Sequence, residues 1–360
     1  MLFWQKLTRT TRLLGSATLL LAALNAWQLL RYQPWNRLPL RLSYADAHGY
    51  PVYSDSTEFL VNGQRLTAFD YSFRGFTDST DHNSRPDLLG TWVSDAGVDG
   101  RPLRVPNQLQ VSYTSLAEGR SYRGRFALPA PVLDSLLAEM RRQPDRYSTL
   151  FGPGETKGAG LQACLAPGGV VLVRLLGEDY QAEVARFQAR PCPTAWPKPP
   201  AYRDTLPYRS LAALRRCMAR AEQAHLDSFP AVPLGHWDTL RTRYAYCLRV
   251  LAPLRPHTLR IDYLNEDEEF LDPAAQPLCL HQPLPDYVSY TPADDHSAAP
   301  SHSTGFDPVE LRRAFAQLRR TAPGERPELQ IRPGPVGVRV LLKTRRQTIE
   351  LMQSVTYVGP

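Results

Sequence analysis

Methionine, cysteine and histidine are scarce in this chain, at 4, 5 and 8 of its 360 residues. No C-x-x-C occurs among the cysteines, which excludes zinc-finger and thioredoxin-like chemistry. Gly-x-Ser-x-Gly is missing too, and with it the usual nucleophile elbow of a hydrolase. A phosphate loop needs Gly-Lys-[Ser/Thr] opening a helix. The nearest approach, Phe151-Gly-Pro-Gly-Glu-Thr-Lys157-Gly158, puts a glycine after its lysine and reads as a surface loop. Glycine (22) is outnumbered by proline (33), which favours loop-rich β structure, because proline interrupts helix interiors and sheet centres alike.

What is present suits a folded chain with a substantial core: 43% of residues are hydrophobic and 21% charged, and the length allows two or three domains. The net charge of +7 is carried by arginines scattered among apolar and acidic neighbours, not gathered in a stripe. That pattern reads as a solvated basic surface and gives no nucleic-acid partner.

Lys6, Arg9 and Arg12 precede an apolar run from Leu13 to Leu30, with Trp4, Trp27, Tyr32 and Trp35 at its margins. Eighteen helical residues at ~1.5 Å each cover about 27 Å, close to a bilayer core. The spacing predicts a signal-anchor helix within residues 1–35, retained because Leu24-Asn25-Ala26 is a poor cleavage site. Localisation in the inner (cytoplasmic) membrane follows, single-pass, with the body in the periplasm or outside. No cysteine lies in this region, so a lipid-bearing cysteine is excluded.

Cys164, Cys192, Cys217, Cys247 and Cys279 are an odd set, leaving at least one thiol. Cys192 and Cys217 flank a proline-rich stretch and are one candidate pair; five isolated buried thiols are the other reading.

The strongest local signal is Glu58 to Phe69, where Asn62-Gly63 joins two strand-forming runs into a hairpin. Strands are predicted at Gln108 to Tyr113 and Ser121 to Leu128. A helix opened by Pro129 and Pro131 follows, with Leu133, Leu136, Leu137 and Met140 on one face. Three further strands run from Leu161 to Gln188. The order returns near the C-terminus: Leu311, Ala314, Phe315 and Leu318 repeat the helix face at one constant spacing, and Leu329-Gln330 repeats Leu161-Gln162. Leu259 to Tyr263 echoes Leu109 to Tyr113. The fold class predicted is α+β: duplicated antiparallel β-meanders, each packed by an amphipathic helix, behind one N-terminal transmembrane helix. Residues 36–190 form the first repeat, 191–235 a proline-rich linker with a connector helix from Tyr208 to Phe229, and 236–360 a degenerate second repeat.

Leu109 to Tyr113, Glu118 to Tyr122, Arg125-Phe-Ala-Leu-Pro129, Pro167-Gly-Gly-Val-Val-Leu-Val173 and Gln188-Ala189 together resemble a family of uncharacterised bacterial envelope proteins, many of them lipoproteins. The likeness covers roughly residues 100 to 190. It implies an envelope location and carries over no catalytic residue. Tyr113 stands where the family often has tryptophan, and the missing anchoring cysteine moves the anchor from lipid to helix.

Three clusters could carry chemistry. Asp294-Asp295-His296 with His302, and Asp81-His82, offer oxygen and nitrogen donors, but in Ser-, Pro- and Gly-rich surroundings typical of loops. Glu266, Asp267, Glu268 and Glu269 could hold calcium, yet lack a spaced ligand loop and read as a solvated turn. The reading adopted is an uncharacterised membrane-anchored envelope protein, a non-enzymatic binding or scaffold module with a protein partner and no catalytic, metal or cofactor site. The alternatives are a metal-dependent hydrolase using the His/Asp loops and an immunity-type protein that binds a toxin.

Overall fold

The computed structural model describes residues 15–25, 37–47, 50–72, 94–96, 102–142, 159–177, 180–193, 234–251, 256–265, 267–275, 277–292, 302–334 and 337–358, with Ala212 and Asp227. After helix α1 (15–25) come β1 (Arg37–Asp46), β2 (Val52–Val61), β3 (Gln64–Ser72), β4 (Ser94–Ala96), β5 (Pro102–Arg104), β6 (Gln108–Ser115) and β7 (Arg120–Ala127). Helix α2 (Ala130–Arg142) leads to β8 (Ala159–Ala166), β9 (Val170–Leu176), β10 (Gln181–Gln188) and β11 (Arg190–Cys192). A short helix α3 (His236–Leu240) precedes β12 (Tyr244–Val250), β13 (Pro256–Tyr263), β14 (Glu268–Leu271), β15 (Leu278–Gln282), β16 (Pro285–Pro292) and β17 (His302–Gly305). Helix α4 (Pro308–Thr321) then leads to β18 (Glu328–Gly334), β19 (Gly337–Lys343), β20 (Thr348–Leu351) and β21 (Val355–Val358).

The strands form an 11-stranded sheet, β21-β17-β16-β13-β14-β10-β9-β8-β1-β4 with β5 also on β1, and two five-stranded sheets, β11-β7-β6-β2-β3 and β15-β12-β18-β19-β20. One plan is used twice. In the first half β1 lies parallel to β8, and β2 is flanked by β3 and β6; in the second β12 lies parallel to β18, and β13 is flanked by β14 and β16. Each half places a helix between a hairpin and the next meander, α2 after the β6–β7 hairpin and α4 after β16–β17. The counterpart of β6 is therefore β16. Val288-Ser-Tyr-Thr291 repeats Val111-Ser-Tyr-Thr114, while Leu259 to Tyr263 takes the place of β2, contrary to the echo read from sequence.

The α+β expectation is overturned. The fold is mostly β in three sheets, and its meanders are not purely antiparallel, because β1 and β12 insert parallel to their neighbours from far away in the chain. The two amphipathic helices only fill gaps beside the sheets: Leu133, Leu137 and Met140 of α2 enter one core, and Leu311, Phe315 and Leu318 of α4 the other. The transmembrane helix is overturned as well. Among the described residues no helix is long and apolar enough to cross a membrane. Gly15, Ser16, Thr18 and Asn25 dilute the apolar surface of α1.

The two halves share an interior. In β8 and β9, Leu161, Ala163, Leu165, Val171, Val173 and Leu175 face the first core, while Cys164, Ala166, Val170 and Leu172 belong to the second. Burial on both faces explains why these strands are almost continuously apolar. Trp237 of α3 is wholly buried and meets Tyr50 edge-on, with ring centroids 5.7 Å apart. At the seam β10 pairs with β14 through Gln181 and Glu268. Arg174, 1% exposed, donates there to the Asn265 carbonyl. Arg241 joins Glu183 across the same boundary and Asp238 on its own side of it.

Candidate functional site

The outer faces of the two repeats differ in chemistry. In the second repeat Leu248, Val250, Leu329, Ile331, Val340 and Leu342 point into the core, so alternate residues Arg249, Glu328, Gln330 and Lys343 face outward. In the first repeat the matching face carries Cys164, Ala166, Val170 and Leu172 and is buried. The β12-β18-β19 face of the second repeat is not covered in this way, and on it lies a cleft of about 620 Å³, between Arg249, Glu328, Gln330, Lys343 and the turns at Gly324–Arg326 and Thr344–Arg345.

Both carboxylates of this trough are already engaged. Glu325 accepts the Arg345 backbone N–H at 2.9 Å and pairs with Arg346 at 3.3 Å, while the Thr344 hydroxyl accepts the N–H groups of Arg346 and Gln347, closing the β19–β20 turn. Glu328 accepts from the Gln330 amide and lies 3.3 Å from Arg249 Nε. Arg326, Lys343 and Arg345 are exposed, and their side-chain cations pair with no carboxylate among the described residues. Four cations around two committed carboxylates leave an electropositive depression, and arginine forks suit bidentate binding of an oxyanion.

Across the Gly324–Arg326 turn lies a second cleft of about 310 Å³, with Tyr244, Ala245, Phe315, Leu318 and Arg319 in its walls. Gly324 takes φ +83°, which only glycine adopts freely, and so lets the turn stand between the clefts. Tyr244 and Phe315 meet edge to face at 5.3 Å, and the Arg319 guanidinium lies 4.3 Å over the Tyr244 ring.

Of the residues singled out from sequence, His302 and Asp267 to Glu269 fall among the described residues. Lys157, Asp81, His82, Asp294, Asp295 and His296 lie outside the described residues, as does nearly all of the connector helix from Tyr208 to Phe229. His302 stacks on Tyr290 at 5.2 Å. In the acidic run Asp267 accepts from the Glu183 backbone and the Asn265 side chain, Glu268 faces Arg260, and Glu269 accepts the Tyr263 hydroxyl. Burial raises Asp267 to about 6, with Arg174 opposing. Among the described residues no group of three His, Cys, Asp or Glu could hold a metal ion. Cysteine pairing also departs from expectation: Cys247 bonds to Cys279 across paired strands β12 and β15, and Cys192 remains a thiol.

The sequence signature that carried the family resemblance builds a corner of the scaffold. Tyr113 donates from its hydroxyl to the Ala166 carbonyl at 2.7 Å, tying the two sheets of the first repeat. Glu118 accepts the Tyr122 hydroxyl at 2.9 Å and the Gly168 N–H at 2.8 Å. Gly169, at φ +80°, leaves no room for a Cβ, which would lie 2.5 Å from the Ala189 carbonyl oxygen. Burial and Glu118 push Tyr122 up to about 12, and burial pushes Tyr113 well above the usual phenol range, so both remain protonated donors.

The trough was not legible because Arg249, Arg326 and the Lys343–Arg345 stretch come from three separate segments. The available signal was alternation: Glu328-Leu-Gln-Ile-Arg332 is polar at every second residue, where Leu161 to Leu165 of the first repeat is buried throughout. No curated protein and no solved structure matches the chain. The family model that matches, described as protein of unknown function (DUF2931), spans residues 41–209, from β1 past β11, and the likeness is therefore to the first repeat.

Proposed function

We propose that the chain is a non-enzymatic binding module of the bacterial envelope, working outside the cytoplasm, and that its ligand is an anion held in the trough of the second repeat. The observation that carries this reading is the set of three outward cations, Arg326, Lys343 and Arg345, that no described carboxylate neutralises. A protein surface normally intersperses opposite charges, so a concave group of one sign focuses field on an incoming counter-ion. The extracytoplasmic location draws support from the Cys247–Cys279 disulfide, since such bonds persist in oxidising compartments. Partner identity follows from the same charge: the partner presents phosphate or carboxylate groups.

Titration calorimetry with inorganic pyrophosphate at low ionic strength tests the reading. Saturable binding is expected, weakening as salt rises. The double variant Arg326→Ala/Lys343→Ala should weaken it by about five- to thirtyfold, each exposed charge-assisted contact contributing roughly 0.5–1 kcal/mol. Absence of saturable binding, or binding indifferent to both changes, refutes the proposal.

A further inference from the structure

We infer that the anion site does not end at the trough but runs along β18 and β19 to Arg332, and that its ligand is a linear polyanion, a series of phosphate groups on a backbone without rings. This rests on the anion reading above and narrows it to a ligand class.

The sheet register carries the extension. Glu328 and Lys343, both in the trough, are partners across β18 and β19; further along the same two strands, about 13 Å away at ~3.3 Å per residue, Arg332 is partnered by Arg339. Like charges directly opposite each other on neighbouring strands are unfavourable. Arg339 is neutralised, since it donates to both carboxylate oxygens of Glu350, at 2.8 and 2.9 Å. Arg332 is exposed and held by a neutral group instead: its Nε and Nη2 donate to the Gln330 side-chain oxygen, at 3.2 and 2.6 Å, and its cation pairs with no carboxylate among the described residues. Gln330 is itself a wall of the trough, so Arg332 shares that outward face and stands just beyond the trough's lining. Between the two pairs the lane is uncharged, with Leu341 opposite Gln330. A ligand that meets Arg332 as well as Lys343 therefore lies along the strands and carries its charges in series. The lane also selects among polyanions. Neither β18 nor β19 contains an aromatic residue, and none of the described residues lining the trough is aromatic, so bases find no ring to stack on. What the lane offers is charge at intervals, which suits phosphates repeated along a flexible backbone, each presenting oxygens to an arginine fork.

The test uses the full chain and three soluble probes, pyrophosphate, long-chain linear polyphosphate and oligothymidylate, in titration calorimetry at low ionic strength. Arg332→Ala should weaken polyphosphate binding by about two- to fivefold, the effect of one exposed charge-assisted contact. The same variant should bind pyrophosphate as the wild type does, which also certifies its folding. Arg332→Lys keeps the charge and should retain most of the polyphosphate affinity, and Arg313→Ala, which removes an exposed arginine of α4, should change neither probe. The inference is overturned if Arg332→Ala leaves polyphosphate binding unchanged, if it weakens both phosphates alike, or if Arg313→Ala weakens polyphosphate binding as much. Oligothymidylate that binds as tightly as polyphosphate of equal charge also overturns it, because the ligand would then be a nucleic acid. Failure of pyrophosphate to bind the wild type would instead strike the reading on which the inference rests.

Discussion

Removing the Cys247–Cys279 bond by the double substitution Cys247→Ser/Cys279→Ser is the perturbation whose size the structure fixes best. The bond closes a loop of sequence separation 32 that contains β13 and β14. Restricting the unfolded chain by a loop of that length contributes about 3.7 kcal/mol at 25 °C on the chain-entropy relation. Cys247 and Cys279 are already register partners in the β12–β15 ladder, so the native backbone changes little when the bond is lost, and most of the effect belongs to the unfolded state. With a urea slope of about 3 kcal/mol per molar, the unfolding midpoint of the variant should fall by roughly 1 M. The assay is equilibrium unfolding followed by tryptophan fluorescence, with and without dithiothreitol, alongside alkylation of the unreduced protein. The wild type should lose stability on reduction to nearly the level of the variant. Equal midpoints for oxidised and reduced wild type, or full alkylation of Cys247 and Cys279 without reductant, would refute the reasoning and remove the support for an oxidising compartment.

Trp237→Ala empties a wholly buried site where α3 meets Tyr50 of the first repeat; a loss of about 3–5 kcal/mol is expected, read as a lowered denaturation midpoint, and a loss below ~1 kcal/mol would show that the repeats are held together elsewhere. Acid should stabilise two sites. Burial raises both Asp55 and Asp267 to about 6, above the unfolded carboxyl value, so the native state binds more protons and their contribution is present below pH ~4 and lost as pH rises through 6. Asp55→Asn, which keeps an acceptor for the Ser112 hydroxyl, should therefore raise the thermal midpoint at pH 7 and leave it unchanged at pH 4; an equal shift at both pH values would contradict this.

Local geometry was legible wherever the chemistry of a few neighbouring residues decides it. Asn62-Gly63 takes φ 52° and 80° and turns β2 into β3, as an Asn-Gly pair between strand formers requires. Asp307 caps α4 through the N–H groups of Val309 and Glu310, with Pro308 in the first turn. Pairing between distant strands was not legible. Nothing near Leu42 announces that it will lie beside Leu161, and without that parallel register neither the mixed sheets nor the partner of Cys247 can be deduced. The apolar leader is the reverse case: its composition suits a spanning helix, yet among the described residues no helix is long and apolar enough to cross a membrane. The candidate site depends on distant pairing throughout, since its cations meet only after β12, β18 and β19 are laid side by side.

The two-sided burial of β8 and β9 has a consequence for how such a chain can change over time. Copying a sandwich unit produces twins, and stacking them hides the exterior of one behind the other. Mutations on the hidden twin's strands answer to packing and to the few buried polar partners there, such as that of Arg174, while the outward twin is free to try new charges at every second position. A third copy stacked on the last one would silence the present trough and hand its role to the newcomer.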